Sequence, residues 1–244
     1  NNSKKVLLQP WTHNFFCEQG FAFRDGKSCT LCLEKGFSQS LINKCSPDKN
    51  IFSVFNRNIL KSSALKTSAF LSSSKFMDEV LIKYGVAKKD ILYFPVPFKI
   101  TRNMRKEDII QEDYFIFYGQ PLLFKGIEVL LETFSKLKNI KLKIFPSTHF
   151  NYVQKSSNIE VINGIGWNNG LSEALIKAKA VILPTLWPTT TEYALYEAMN
   201  YSKPIIAFNV GAHNDFLKHS YNAMLSEPDD QIKFIENIIF IDKN

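Results

Sequence analysis

The stretch that most constrains this chain begins Ala180-Val181-Ile182-Leu183-Pro184-Thr185. It continues through Leu186-Trp187-Pro188-Thr189-Thr190-Thr191 into Glu192-Tyr193-Ala194-Leu195-Tyr196-Glu197-Ala198-Met199. Four apolar residues closed by a proline predict a short strand buried on both faces. A loop of hydroxyl side chains follows, and then helical spacing at Tyr193, Leu195, Ala198 and Met199. A strand that runs through a threonine-rich turn into a helix leaves N–H groups without partners at the helix start, where anions are held. Glu197 lies seven residues past Thr190, which predicts that the two share one helix face about two turns apart. A carboxylate beside an anion cradle suits a ligand carrying hydroxyls next to a diphosphate, as a sugar nucleotide does. A well-capped helix with one solvated glutamate is the plainer reading of the same residues.

With 244 residues, 45% of them hydrophobic, the chain can build one large core or two small ones. Its 21 phenylalanines and only 10 glycines fit packed layers rather than a disordered chain. The net charge of +7 is spread along the sequence, densest from Arg102 to Lys106, with no run of basic residues long enough for a nucleic-acid arm. A metal-dependent nucleic-acid binder is therefore the weakest of the function classes, because no basic stripe with interleaved aromatics is present. Affinity for phosphate-rich ligands or a peripheral contact with an anionic membrane is as far as charge alone reaches. No apolar run approaches the ~20 residues of a spanning helix. The opening Asn1-Asn2-Ser3-Lys4-Lys5 is too polar for a signal peptide, and its first residue is not Met.

All four cysteines fall in the first 45 residues, as Cys17, Cys29, Cys32 and Cys45, with the spacing C-x11-C-x2-C-x12-C. The central C-x2-C pair can offer two thiolates from one turn, and the outer pair can complete a tetrahedral site. Three readings stay open: a structural Zn²⁺, reduced and partly buried thiols, and disulfides or a cluster of another metal. Between them, Arg24-Asp25-Gly26-Lys27 predicts a hairpin-like turn. A helix is expected around Ile51 to Leu65, its period set by Ile51, Phe52, Phe55, Ile59 and Leu60. Ala69 to Ser72 reads as a strand, Ser73 or Ser74 as the cap of the next helix, and Gly85 as its stop. The charged segment 99–113 reads as a linker between a first domain at 1–98 and a second at 114–244.

In the second domain, strands at Tyr114 to Tyr118, Leu142 to Phe145, Ile159 to Ile162, Ala180 to Leu183, Pro204 to Phe208 and Ala223 to Leu225 alternate with helices. That alternation predicts an α/β fold with a parallel sheet covered on both faces. Ligands are expected at the carboxyl ends of its strands, at Gly119 to Lys125, Thr185 to Thr191 and Gly211.

Several short matches then fall in one order. These are Phe117-Tyr118-Gly119-Gln120, Phe124-Lys125-Gly126, Trp187-Pro188-Thr189-Thr190-Thr191 to Glu197-Ala198-Met199, Lys203-Pro204-Ile205-Ile206, Val210-Gly211-Ala212 and Asn222-Ala223-Met224-Leu225. From Phe115 to Asp230 the chain resembles the family 4 glycosyltransferases, of the GT-B type with two Rossmann-like domains. The cysteine block resembles an insertion found in a subset of them. The resemblance implies a retaining transfer of sugar from a UDP- or GDP-sugar to a glycan or lipid-linked acceptor, in the cytoplasm or at the inner face of the membrane, without a catalytic metal. It assigns Lys125 to the diphosphate and Glu197 to the ribose hydroxyls. It also assigns Gly119, Gln120 and the backbone around Thr189, Thr190 and Thr191 to the donor site. His13 is implied as a sugar contact, although strict spacing before Cys17 falls on Trp11, and a hydrogen-bonded loop histidine is the alternative. Three departures stand out. Gln120 replaces an arginine, and Thr189 replaces the first of two glutamates spaced by seven residues. Glu192 sits three residues later, where the family has glycine. The family's opening strand and glycine-rich loop have no counterpart before Val6, so the first domain reads as incomplete. A non-catalytic relative that binds nucleotide sugars or serves as a scaffold is the competing function.

Overall fold

The computed structural model describes residues 6–45, 51–98, 111–153 and 155–244. The expected linker at 99–113 thus lies largely outside the described residues. Contacts divide the chain into two compact units, one of Asn1–Pro97 with Trp187–Thr191, the other of Phe98–Leu186 with Glu192–Asn244. Among the described residues no helix is long and apolar enough to cross a membrane.

The first unit holds a parallel sheet of three short strands, in the order β1 (Val6–Leu8), β4 (Ser68–Ser72), β5 (Ile91–Tyr93). A separate hairpin pairs β2 (Phe23–Arg24) with β3 (Lys27–Ser28), and Asp25 and Gly26 turn it with φ of 52° and 76°. Two short helices, α1 (Leu31–Lys35) and α2 (Gln39–Ile42), follow, and then the long α3 (Ile51–Thr67). Helix α4 (Lys75–Tyr84) starts where the Ser74 hydroxyl accepts the Met77 N–H at 3.1 Å. It ends at Gly85, whose left-handed φ of 109° lets its N–H reach the Ile82 carbonyl. Phe16, Phe37, Phe70, Met77, Leu81 and Tyr84 lead this unit's core.

Helix α3 forms where expected, but the apolar stripe that marks it does not face the core. The residues that set its period (Ile51, Phe52, Phe55, Ile59 and Leu60) are all at least half exposed, and Val54, Ala64 and Leu65 face the core instead. Periodicity identifies a stripe without saying which way it turns. Here Arg57 fixes the rotation, because it bonds Glu18 at 2.8 Å from the core side of the helix.

The second unit is a six-stranded, all-parallel sheet in the order β11-β10-β9-β6-β7-β8. Its strands are β6 (Phe115–Gly119), β7 (Leu142–Pro146), β8 (Ile159–Val161), β9 (Ala180–Leu183), β10 (Ile205–Phe208) and β11 (Met224–Ser226). Alternate residues serve two cores. Phe115, Phe117, Ile182 and Phe208 pack with α5 (Ile127–Lys136) and α9 (Gln231–Lys243) on one face. Ile116, Tyr118, Val181 and Ala207 pack with α6 (Leu171–Lys177) and α7 (Tyr193–Asn200) on the other. Burial on both faces explains why these strands are continuous apolar runs.

The chain winds outward from β6 to β8, then returns to place β9 on the opposite side of β6. The sheet therefore reverses direction between β6 and β9. Loops leaving the carboxyl ends of those two strands diverge to opposite faces and open a crevice. The β6 loop is pinned there by Gly126, whose φ is 75° and which touches Pro184 at the end of β9. A Cβ at this position would overlap the Pro184 carbonyl oxygen. Gly126→Ala is therefore expected to cost about 2 kcal/mol or more. Urea denaturation checks this, and an unchanged midpoint would contradict the close approach.

Candidate functional site

The site forms where the sheet reverses. Strand β6 ends at Gly119, and the loop from Gln120 closes through a 3₁₀ turn at Leu123–Lys125 that delivers Lys125. The Leu186 N–H bonds the Phe124 carbonyl at 2.9 Å, tying that turn to the segment after β9. Gln120 is exposed, at the mouth of the loop.

The Lys125 ammonium lies 2.7 Å from Glu192 Oε1. Glu192 is buried, and both its oxygens are within 3.0 Å of the Thr185 hydroxyl. Its Oε2 meets His213 Nε2 at 2.6 Å, while His213 Nδ1 faces the Phe208 carbonyl at 2.8 Å. His213 opens the short helix α8 (His213–Phe216) just after β10, and it is fully buried. Four segments, leaving β6, β9 and β10 and entering α7, thus converge on one carboxylate. Burial pushes the Glu192 carboxyl up, but the Lys125 charge and the His213 hydrogen bond outweigh it and hold the group well below the usual carboxylate range.

Glu197 sits on α7, half-buried, and faces the Tyr118 hydroxyl, which donates to the Ala194 carbonyl at 2.8 Å. Burial pushes its carboxyl up to about 7, against a smaller pull downward from Tyr118. Because α7 begins at Tyr193, Thr190 lies outside it and does not share a helix face with Glu197, contrary to the expectation. The hydroxyls of Thr189 and Thr190 are both engaged within the protein. Thr189 Oγ1 donates to the Thr191 carbonyl at 2.8 Å, and Thr190 Oγ1 donates to the Trp11 carbonyl at 2.8 Å. The Thr190 carbonyl in turn accepts from Ser74 Oγ at 3.0 Å, and both Thr189 and Thr190 are fully buried.

His13 belongs to the first unit and is also fully buried, ringed by Phe15, Phe16, Phe76 and Trp187. Its Nε2 lies 2.6 Å from the Pro188 carbonyl, and Nδ1 makes no hydrogen bond among the described residues. Burial lowers its pKa to about 4, partly offset by that carbonyl, so the ring is neutral at pH 7. This is the arrangement of a hydrogen-bonded loop histidine.

Of the readings left open for the cysteines, the structure favours reduced, partly buried thiols. Cys17, Cys29, Cys32 and Cys45 are free thiols of intermediate exposure. Among the described residues no group of three or more Cys, His, Asp or Glu side chains is arranged to hold a metal. Burial, and then the neighbouring thiols of Cys17, Cys45 and Cys29, push Cys32 up to about 11. The four thiols lie close enough to act on one another's charge, and the described residues give no support to a structural Zn²⁺.

Residues 112–244, more than half of the chain, match the family model described as "Glycosyl transferases group 1". The chain belongs to the group 1 glycosyltransferases, and its fold is the α/β, parallel-sheet GT-B type. Similar solved structures include TarM of S. aureus, at 16% identity and a TM-score of 0.63 over 76% of this chain and 39% of that one. HepE of Anabaena is similar at 13% identity and a TM-score of 0.63, over 80% of this chain and 59% of its own. Sucrose-phosphate synthase of Thermosynechococcus elongatus matches at 15% and 0.59, over 76% and 52% respectively. The chain thus spans roughly two-fifths to three-fifths of these relatives. No curated protein sequence matches it.

Sequence reasoning missed His213 and set Glu192 aside. The available signal was positional: His213 follows the Gly211 turn at a strand's carboxyl end, and Glu192 follows Thr185 by seven residues. Removing the shared carboxylate should be severe. Glu192→Ala removes the carboxylate that the partly buried Lys125, the Thr185 hydroxyl and the buried His213 share, and is expected to cost roughly 3–5 kcal/mol in urea denaturation; near-wild-type stability would refute the shared role.

Glu197 gives a pH signature. Between pH 4.5 and about 7 the folded chain keeps a proton that the unfolded chain releases, so stability falls as pH rises through this window. Relative to Glu197→Gln, the wild-type melting temperature should decline across it and level off above. A constant difference between the two proteins from pH 4.5 to 8 would contradict the raised value.

Proposed function

We propose that the chain is the donor-binding part of a retaining glycosyltransferase that moves a sugar from a nucleotide sugar to a glycan or lipid-linked acceptor in surface polysaccharide synthesis. The observation that carries this reading is Lys125, held by Glu192 at the sheet's reversal in a chain of the group 1 family. An ammonium on a rigid turn at that place meets the charge that builds on a departing diphosphate. Glu197, one helical turn further along α7, takes the ribose hydroxyls. Its raised proton affinity means that the carboxylate form, the better acceptor for a diol, is selected as ligand binds above neutral pH.

Gly119, Gln120 and the backbone of Thr189, Thr190 and Thr191 line the phosphate side in this proposal. His13, buried and neutral, is assigned to hold the Pro188 loop rather than to touch the sugar. A cytoplasmic location is part of the proposal, and the net charge of +7 supports peripheral contact with an anionic membrane face. HepE is described in complex with UDP-glucose, and TarM with UDP, which makes UDP the first probe and GDP the second.

A second reading, a nucleotide-sugar-binding relative without turnover, draws on one observation. Thr189 stands where the resemblance expects a glutamate, and it is buried with its hydroxyl spent inside the loop. Slow transfer or hydrolysis of any sugar nucleotide would eliminate this alternative.

Isothermal titration with UDP and GDP tests the shared core of both readings. One of the two is expected to bind, and Lys125→Ala should weaken it by roughly 1.5–3 kcal/mol. A folded sample that binds neither nucleotide would sink the proposal.

A further inference from the structure

The contacts of His213 fix more than its position. Nδ1 faces a backbone carbonyl at 2.8 Å and Nε2 faces a carboxylate oxygen at 2.6 Å. A carbonyl and an ionised carboxylate can only accept, so both ring nitrogens must donate, and an imidazole with two N–H groups is a cation. The other placement of the proton, on Glu192, is disfavoured by the ammonium 2.7 Å from that carboxyl. The Lys125 charge and the His213 bond also hold the Glu192 carboxyl well below its ordinary range.

The charge count then matters for the anion that Lys125 meets. Lys125 and Glu192 alone cancel. A diphosphate arriving at a cancelled pair would have to pull the lysine from its partner and leave a buried carboxylate bare. With His213 as an imidazolium the group of three carries a net positive charge. Lys125 can then turn to the ligand while Glu192 remains paired. Gln120, at the mouth of the same loop, brings no charge of its own.

We propose that His213 is a buried imidazolium that acts through Glu192 to keep the Lys125 site cationic, and so sets its affinity for a diphosphate. His213 is a positioning residue in this scheme, because it does not touch the ligand. The inference rests on the donor-site reading above. The groups facing His213 are Glu192 and, behind it, Lys125; across Glu192 lie Tyr118 and Glu197, and Asp215 is on its own helix.

The first test needs no ligand. The chain has four histidines, so ¹⁵N-detected spectra of the whole protein can be assigned to His213 by difference from His213→Gln. Two protonated ring nitrogens at pH 7 are expected, and a bare nitrogen would overturn the proposal. The second test titrates wild type and His213→Gln with UDP and with inorganic pyrophosphate. Glutamine can keep a neutral donor towards Glu192 while removing the charge and the bond to the Phe208 carbonyl, which lies away from Lys125. Pyrophosphate affinity should fall about tenfold or more, as expected for loss of one nearby charge in a partly shielded site. The ratio of wild-type to variant affinity should also shrink as pH is raised through the deprotonation seen in the spectra, since every other titrating group is common to both. An unchanged pyrophosphate affinity, or a ratio independent of pH, would overturn it. Loss of pyrophosphate affinity in His213→Gln, with no UDP binding by the wild type, would support the charge assignment while removing the nucleotide reading. If His213→Gln does not fold, the wild-type pH dependence of pyrophosphate binding, set against the His213 titration, decides the matter, and binding that ignores that titration rejects the inference.

Discussion

A carboxylate with almost no access to water is costly unless every lone pair is answered. Glu192 answers them with an ammonium, an imidazole and a hydroxyl contributed by Lys125, His213 and Thr185. Those three partners come from loops that follow different strands of one sheet. The pairing therefore does more than satisfy a buried charge: it draws the carboxyl ends of β6, β9 and β10 to one point. The position of the lysine, the start of α7 and the turn after β10 all follow from the need to keep that carboxylate company.

The sheet makes this convergence available. Two apolar faces on every central strand, read by alternation through β6, β9 and β10, leave little freedom in where the strands end. The reversal of strand order between β6 and β9 then sends the loops of those strands to opposite faces and opens a crevice at their carboxyl ends. Function in such a fold is a matter of which side chains occupy the loops. In this chain they include one ion-paired cation, Lys125, one buried anion, Glu192, and one carboxyl with raised proton affinity, Glu197, on the helix that follows.

Much of this was readable from residue order. Continuous apolar runs announced the buried strands, Ser74 and Gly85 marked the ends of α4, and Asp25-Gly26 marked the hairpin. Lys125 is assigned through the resemblance carried by Phe124-Lys125-Gly126 and not by any local pattern of its own. What could not be read was pairing at a distance. Lys125 and Glu192 are separated by 67 positions and His213 follows Glu192 by 21, and no local pattern encodes such contacts. The rotation of α3 was hidden for a different reason, since its apolar stripe is real but faces outward and a few core-side residues, with Arg57, decide its orientation. Four closely spaced cysteines likewise indicated proximity correctly, but spacing carries no information on whether sulfurs point at a common centre.

The missing side chain at Gly126 has a dynamic consequence. Because the Pro184 carbonyl fills the space a Gly126 Cβ would need, and because the Phe124 carbonyl accepts the Leu186 N–H, opening of that turn is coupled to the end of β9. The Leu186 amide is therefore a reporter built into the backbone. Its rate of exchange with solvent deuterium measures how often the lysine's platform comes unseated, in a part of the molecule where no side-chain probe is required.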